Sequence, residues 1–128
     1  MNLNQITVPS LDLGASVPFY KLLGLQLIVH APPHYARFVC PDGNSTFFIS
    51  KVEELPSGHG VHIYFECDPL DQQVRALQGK GVEFDLEPTD QPWNWREARL
   101  TDPDNNQIIL YSAGENRLNP PWRIKEDN

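Results

Sequence analysis

NQITVPSLDLGASVPFYKLLG at residues 4–24 and VHIYFECDPLDQQVRALQGKG at residues 61–81 are two versions of one pattern, and their correspondence decides the fold. Gln5 and Ile6 fall on His62 and Ile63, a shift of 57 residues that also carries Gly24 onto Gly81. In the first stretch a strand, NQITV, leads through Pro9, Ser10 and Asp12 into a helix where Phe19, Leu22 and Leu23 share one face and Gly24 supplies the stop. Pro18 is expected in that helix's first turn, where a missing N–H does no harm. In the second stretch the strand VHIYFE leads through Asp68 and Pro69 into a helix with Leu70, Val74 and Leu77 at helical spacing, ended by Gly79 and Gly81.

The correspondence continues outward. Each helix is followed by a short apolar run, LQLIVH or VEFDLE, and then by a loop rich in proline and aromatics, APPHY or PTDQPWNW. Two strands joined by a tight turn come next: ARFVC and TFFIS around PDGNS, then EARLT and IILYS around PDNNQ. Gly43 and Asn105 are residues that tolerate positive φ in such turns. Each module therefore reads β-α-β-β-β, and neither alone could bury both faces of its strands. The expected fold is α+β, with tandem βαβββ modules over residues 1–57 and 58–114 forming a curved mixed sheet around a cleft, helices on its convex side. Residues 115–128 form an arm in which Pro120, Pro121 and Trp122 suggest docking through the indole.

Composition bounds the function. A chain of 128 residues can bury roughly two-thirds of its unfolded surface, enough for a core without staples. A net charge of −7 argues against nucleic acid and anionic membrane surfaces, which need a surplus of Lys and Arg. No run approaches a membrane span, and MNLNQITVPS lacks the features of a signal peptide, so the expected location is the cytoplasm. Cys40 and Cys67 end apolar runs and read as buried free thiols. A phosphate loop, a nucleophile elbow and a CxxC pair are all missing.

The segments QITVPSLDLGASVPFYKLLG, HIYFECDPLDQQVRALQGKGV and DPDNNQIILY together resemble the vicinal oxygen chelate superfamily, which includes glyoxalase I, extradiol dioxygenases and bleomycin-resistance binding proteins. The likeness covers about residues 4 to 112 and implies a sheet whose concave face holds the site, in a chain that forms homodimers. Metal-dependent members carry one ligand on the first and one on the last strand of each module. The first-strand positions here are Gln5 and His62, and alignment on the hairpin turns puts the other two at Phe47 and Ile109. Without the two carboxylates the set falls short of the three protein ligands a zinc site needs, so no metal and no other cofactor is expected.

The cleft is expected to take a small organic ligand on an apolar floor of Phe47 and Ile109, with Gln5, Tyr64 and Tyr111 beside it. His62, Tyr64 and Glu66 alternate onto one strand face, where His62 and Glu66 are candidates for acid–base chemistry. His59, between Gly58 and Gly60, reads as an exposed loop histidine. Trp93, Trp95, Arg96 and Arg99 offer rings and guanidinium groups for an aromatic acid, or else cover a sheet edge; Arg37 stands on the matching strand of module one. The reading is a metal-free small-molecule-binding protein. Its alternatives are a glyoxalase- or dioxygenase-like enzyme, with atypical metal ligands or metal-free chemistry at His62, and an interaction module built on the Trp-rich loop and the arm.

Overall fold

The computed structural model describes residues 1–58 and 60–125, so His59 lies outside the described residues. The elements follow in the order of the repeat: β1 (Gln5–Ser10), α1 (Leu13–Leu22), β2 (Gln26–Ala31), β3 (Tyr35–Val39), β4 (Thr46–Lys51), then β5 (His62–Glu66), α2 (Leu70–Gly79), β6 (Leu86–Asp90), β7 (Arg96–Thr101) and β8 (Gln107–Ser112). They make two four-stranded sheets of matching order, β1-β4-β3-β2 and β5-β8-β7-β6. In the first, β1 runs parallel to β4, while the β4–β3 and β3–β2 pairs are antiparallel. Two compact units result: Met1–Val61 together with Thr101–Gln107, and His62–Leu100 together with the residues from Ile108 onward.

In the first unit, α1 begins at Asp12, whose carboxylate accepts the Gly14 N–H at 2.8 Å as an N-cap. Pro18 stands at the sixth helical position rather than in the first turn, leaving the Gly14 carbonyl without its intrahelical donor. The buried stripe also differs from the expected one: it is Leu13, Ser16, Val17 and Tyr20, whereas Leu22 is exposed and Phe19 half-buried. The reason is polar. Residues 102–106, the turn between β7 and β8, supply acceptors for the hydroxyls of that stripe. Tyr20 donates to Asp102 Oδ2 at 2.6 Å, and Ser16 donates to Asp104 Oδ2 at 2.8 Å. The Tyr20 ring then lies 4.5 Å from Phe47 and 6.1 Å from Phe38, centroid to centroid, in the core beneath the helix.

The turn itself is held by the same two carboxylates. Asp102 Oδ1 accepts the N–H groups of Asp104 and Asn106, at 2.9 and 2.8 Å. Asp104 Oδ1 accepts the Leu11 N–H at 2.8 Å, and Asn106 Nδ2 reaches the Pro9 carbonyl at 3.2 Å. The DPDNN run is thus a clasp onto the start of α1 as well as a turn. Asn105 adopts φ 65°, the left-handed conformation its side chain tolerates.

Two further expectations shift in register. The strand after α2 begins at Leu86 instead of Val82 and runs through Pro88 to Asp90, because its partner β7 pairs with that part of the chain. Pro88 fits there because β6 is an edge strand. In module one the β3–β4 hairpin closes with Cys40 N–H on the Ser45 carbonyl, around four residues; in module two Asp102 N–H meets the Asn106 carbonyl, around three. That extra residue reverses the faces of β4 relative to an alignment made on the turns.

Candidate functional site

The sheet face of the second unit that is turned away from Ile63, Ala98, Leu100, Ile108 and Leu110 carries most of the expected site residues. Alternation puts Tyr64 of β5 there with Ile109 and Tyr111 of β8 and Glu97 and Arg99 of β7. The Trp95 ring is stacked on Tyr111 with centroids 4.6 Å apart and planes 17° apart. Tyr64 stands across both, its ring at 89° to Trp95 and 75° to Tyr111, with centroids 5.8 and 5.9 Å away. Ile109, Tyr111 and Ala113 form the buried floor on which Trp95 packs.

This platform is held rather than loosely collapsed. Trp95 donates its indole N–H to the Asn116 carbonyl at 3.3 Å, within a single 3₁₀ turn over Gly114–Arg117. Tyr111 is 7% exposed, and burial, followed by the nearby Glu66 charge, pushes its phenol above the usual tyrosine range, so it stays a neutral O–H. Tyr64 remains 46% exposed and offers ring surface to solvent. Aromatic rings with one open side suit a planar apolar ligand.

Beside the rings lies a residue the sequence reading did not single out. Glu97 is fully buried; it accepts the Trp93 indole N–H at 2.8 Å on Oε2 and Arg99 Nη2 at 3.1 Å on Oε1. A buried carboxylate is tolerable only with such charge-assisted donors. Its signal in the sequence was the alternation of Trp93, Trp95, Glu97 and Arg99. Trp93 is therefore engaged with Glu97 and still 40% exposed. Arg96 points the other way: it makes a bidentate pair with Asp71 of α2, at 2.7 and 2.8 Å, and reaches Asp90 of β6 at 3.0 Å. It clamps helix to edge strand.

His62 and Glu66 stand at opposite ends of β5, both exposed, and four strand steps separate them by roughly 13 Å. In the first unit Gln5 is exposed and its Oε1 accepts the Thr46 hydroxyl at 2.8 Å. Phe47 is 1% exposed beneath Tyr20 and belongs to the core under α1, which corrects its expected place in the ligand cleft. Phe48 takes the opposite face instead, stacked on Tyr35 at 5.1 Å with Arg37 over its ring. The four positions named for metal thus supply an amide, an imidazole and apolar groups. Among the described residues no group of three His, Cys, Asp or Glu side chains is placed to hold one metal ion.

Other candidates fall away. Cys40 and Cys67 are half-buried rather than buried, and burial, reinforced by Asp42, raises the Cys40 thiol, which lowers its thiolate fraction. Trp122 is 57% exposed, in a turn closed by Arg123 N–H on the Pro120 carbonyl, while the start of the arm receives Trp95. A groove of about 440 Å³ along α1, between Val17, His30 and Pro33, contains none of the expected site residues.

The paired modules and this open, ring-lined sheet face define a class: α+β domains that carry a site on the sheet of a duplicated βαβββ unit. The chain belongs to the Glyoxalase/Bleomycin resistance protein/Dioxygenase superfamily, whose sequence profile matches residues 2–110. Among solved structures it is similar to a glyoxalase/bleomycin resistance protein/dioxygenase from Nocardioides, with 25% identity, TM-score 0.78, and coverage of 98% of this chain and 90% of that one. It shares the fold of lactoylglutathione lyase from Agrobacterium tumefaciens, with 16% identity, TM-score 0.73, and coverage of 87% and 92%. It also shares the fold of a bleomycin-binding protein complexed with bleomycin, with 18% identity, TM-score 0.72, and coverage of 88% and 98%. No curated protein matches the sequence. No helix among the described residues is long and apolar enough to cross a membrane.

Proposed function

We propose that this protein binds a small organic molecule without a metal, taking its planar part against the Tyr64–Trp95–Tyr111 platform. The observation that carries the reading is the arrangement of those rings: two are stacked and braced on a buried floor, and the third stands across them with its surface open. The donor set supports the metal-free part, since the four family positions are occupied by Gln5, Phe47, His62 and Ile109, none of them a carboxylate. A solved relative in fold that is itself a bleomycin-binding protein supports binding as the activity. We place the protein in the cytoplasm as a homodimer, with Leu118, Trp122 and Ile124, exposed on the arm, as the apolar surface for the second copy.

Two measurements test this reading. Elemental analysis of protein purified without chelators or a histidine tag is expected to find no stoichiometric divalent metal; one metal per chain, lost in His62→Ala, would replace the reading with a glyoxalase- or dioxygenase-like enzyme. Titration with naphthalene-2-carboxamide, a neutral planar probe, is expected to shift the Trp95 indole N–H resonance, and Tyr64→Ala to weaken that binding. A probe that leaves the indole resonance unmoved refutes the platform.

A further inference from the structure

The third strand of each module carries an arginine on the face that bears no helix: Arg37 on β3, between Ala36 and Phe38, which are fully buried under α1, and Arg99 on β7, between the fully buried Ala98 and Leu100. They are 62 residues apart and occupy the same place in the repeat. In both, the Nε atom is buried and has no hydrogen-bond partner, and these two are the side-chain atoms so described among the described residues. A buried donor without an acceptor is unfavourable, and its recurrence at matched positions marks both guanidinium groups as incompletely satisfied by the chain itself, with the half-exposed outer part of each side chain left for a ligand to reach.

The surroundings favour one chemistry. Arg37 lies over the Phe48 ring at 5.4 Å, with Tyr35 stacked on that ring, so its plane rests on an aromatic shelf. No ion pair neutralises it among the described residues. Arg99 spends Nη2 on Glu97, which fixes its position next to Trp93, and its side chain is still 39% exposed, so the outer part of the guanidinium is open to a ligand. A guanidinium group held in this way can donate charge-assisted hydrogen bonds to a carboxylate. The chain as a whole is acidic, with a net charge of −7, so long-range attraction would not draw an anion; these local forks are what could retain one.

We propose that Arg37 and Arg99 are oxyanion anchors, each on its own sheet face, and that the small molecules this protein takes are planar acids. The inference rests on the platform reading and adds the acid group to it. Its test compares naphthalene-2-carboxylate with naphthalene-2-carboxamide, which have the same shape and differ in charge, by calorimetry and by the Trp95 indole resonance. The native protein is expected to bind the carboxylate about tenfold more tightly, the gain of a charge-assisted hydrogen bond over a neutral one. The pair Arg37→Met/Arg99→Met is expected to bring the ratio near one while still binding the carboxamide. Should that variant not fold, Arg37→Lys/Arg99→Lys keeps the charge without the fork, and the ratio is expected to fall there too. Equal binding of both probes by the native protein leaves the platform standing and overturns the anchors. A ratio unchanged in the folded variants does the same. If neither probe moves the indole, platform and anchors fall together.

Discussion

The contact between Tyr20 and Asp102 offers the strictest test of how the fold is held. Tyr20→Phe keeps the ring against Phe38 and Phe47 and removes one hydrogen bond of 2.6 Å to a carboxylate that is 5% exposed. Bonds to charged groups are worth about 1.5–3 kcal/mol, and Asp102 Oδ2 retains Asn106 Nδ2 at 2.7 Å, so a loss of about 2 kcal/mol is expected. Asp102→Asn should lose more, about 3 kcal/mol, because an amide nitrogen would face donors at one of two oxygens that now accept four hydrogen bonds. The assay is urea unfolding of the native protein, both single variants and the double variant. If the contact is direct, the cycle should return a coupling of about 1–2 kcal/mol. Additivity within about 0.3 kcal/mol, as seen for independent sites, would refute the clasp between this turn and α1.

The other expectations concern pH, register, turn and site. Burial, the Asp102 charge and the hydrogen bond to it hold the Tyr20 phenol far above its ordinary range, and Tyr111 is raised as well. The stability Tyr20 contributes is complete below about pH 10 and falls as pH rises past it, by about 1.4 kcal/mol per unit, because only the unfolded chain releases that proton; Tyr20→Phe should remove that share of the alkaline slope in pH-dependent unfolding. Phe47→Ala should lose about 3–5 kcal/mol and Phe48→Ala under about 2 kcal/mol, and the opposite order would mean the β4 faces are assigned the wrong way round. Asn105→Ala should destabilise by about 1 kcal/mol while Asn105→Gly stays within about 0.5 kcal/mol, since only glycine matches asparagine at positive φ. Trp93→Phe, which leaves Glu97 Oε2 without its indole donor, should lose about 1.5–3 kcal/mol by chemical denaturation; no change would show that the buried carboxylate finds another donor.

By itself the sequence determined the duplication, the strand and helix order and the superfamily, because these are written in short-range patterns: alternation, helical spacing, Gly24 and Gly81 at the helix ends, and turn residues at matched offsets. It also picked out Tyr64, Trp95 and Tyr111, though not that they would meet as one stack. Tertiary structure decided the rest. The buried side of α1 was chosen by Asp102 and Asp104, which lie more than 80 residues away and make Ser16 and Tyr20 cheaper to bury than Leu22. The faces of Phe47 and Phe48 were chosen by a single extra residue in a turn, which reverses every side chain beyond it. Arg96 and Arg99 look alike in the sequence, yet one clamps α2 to β6 and the other keeps a buried donor on the open face. In each case a local pattern allowed two outcomes, and the deciding energy was a buried polar partner or a register supplied by a distant part of the chain.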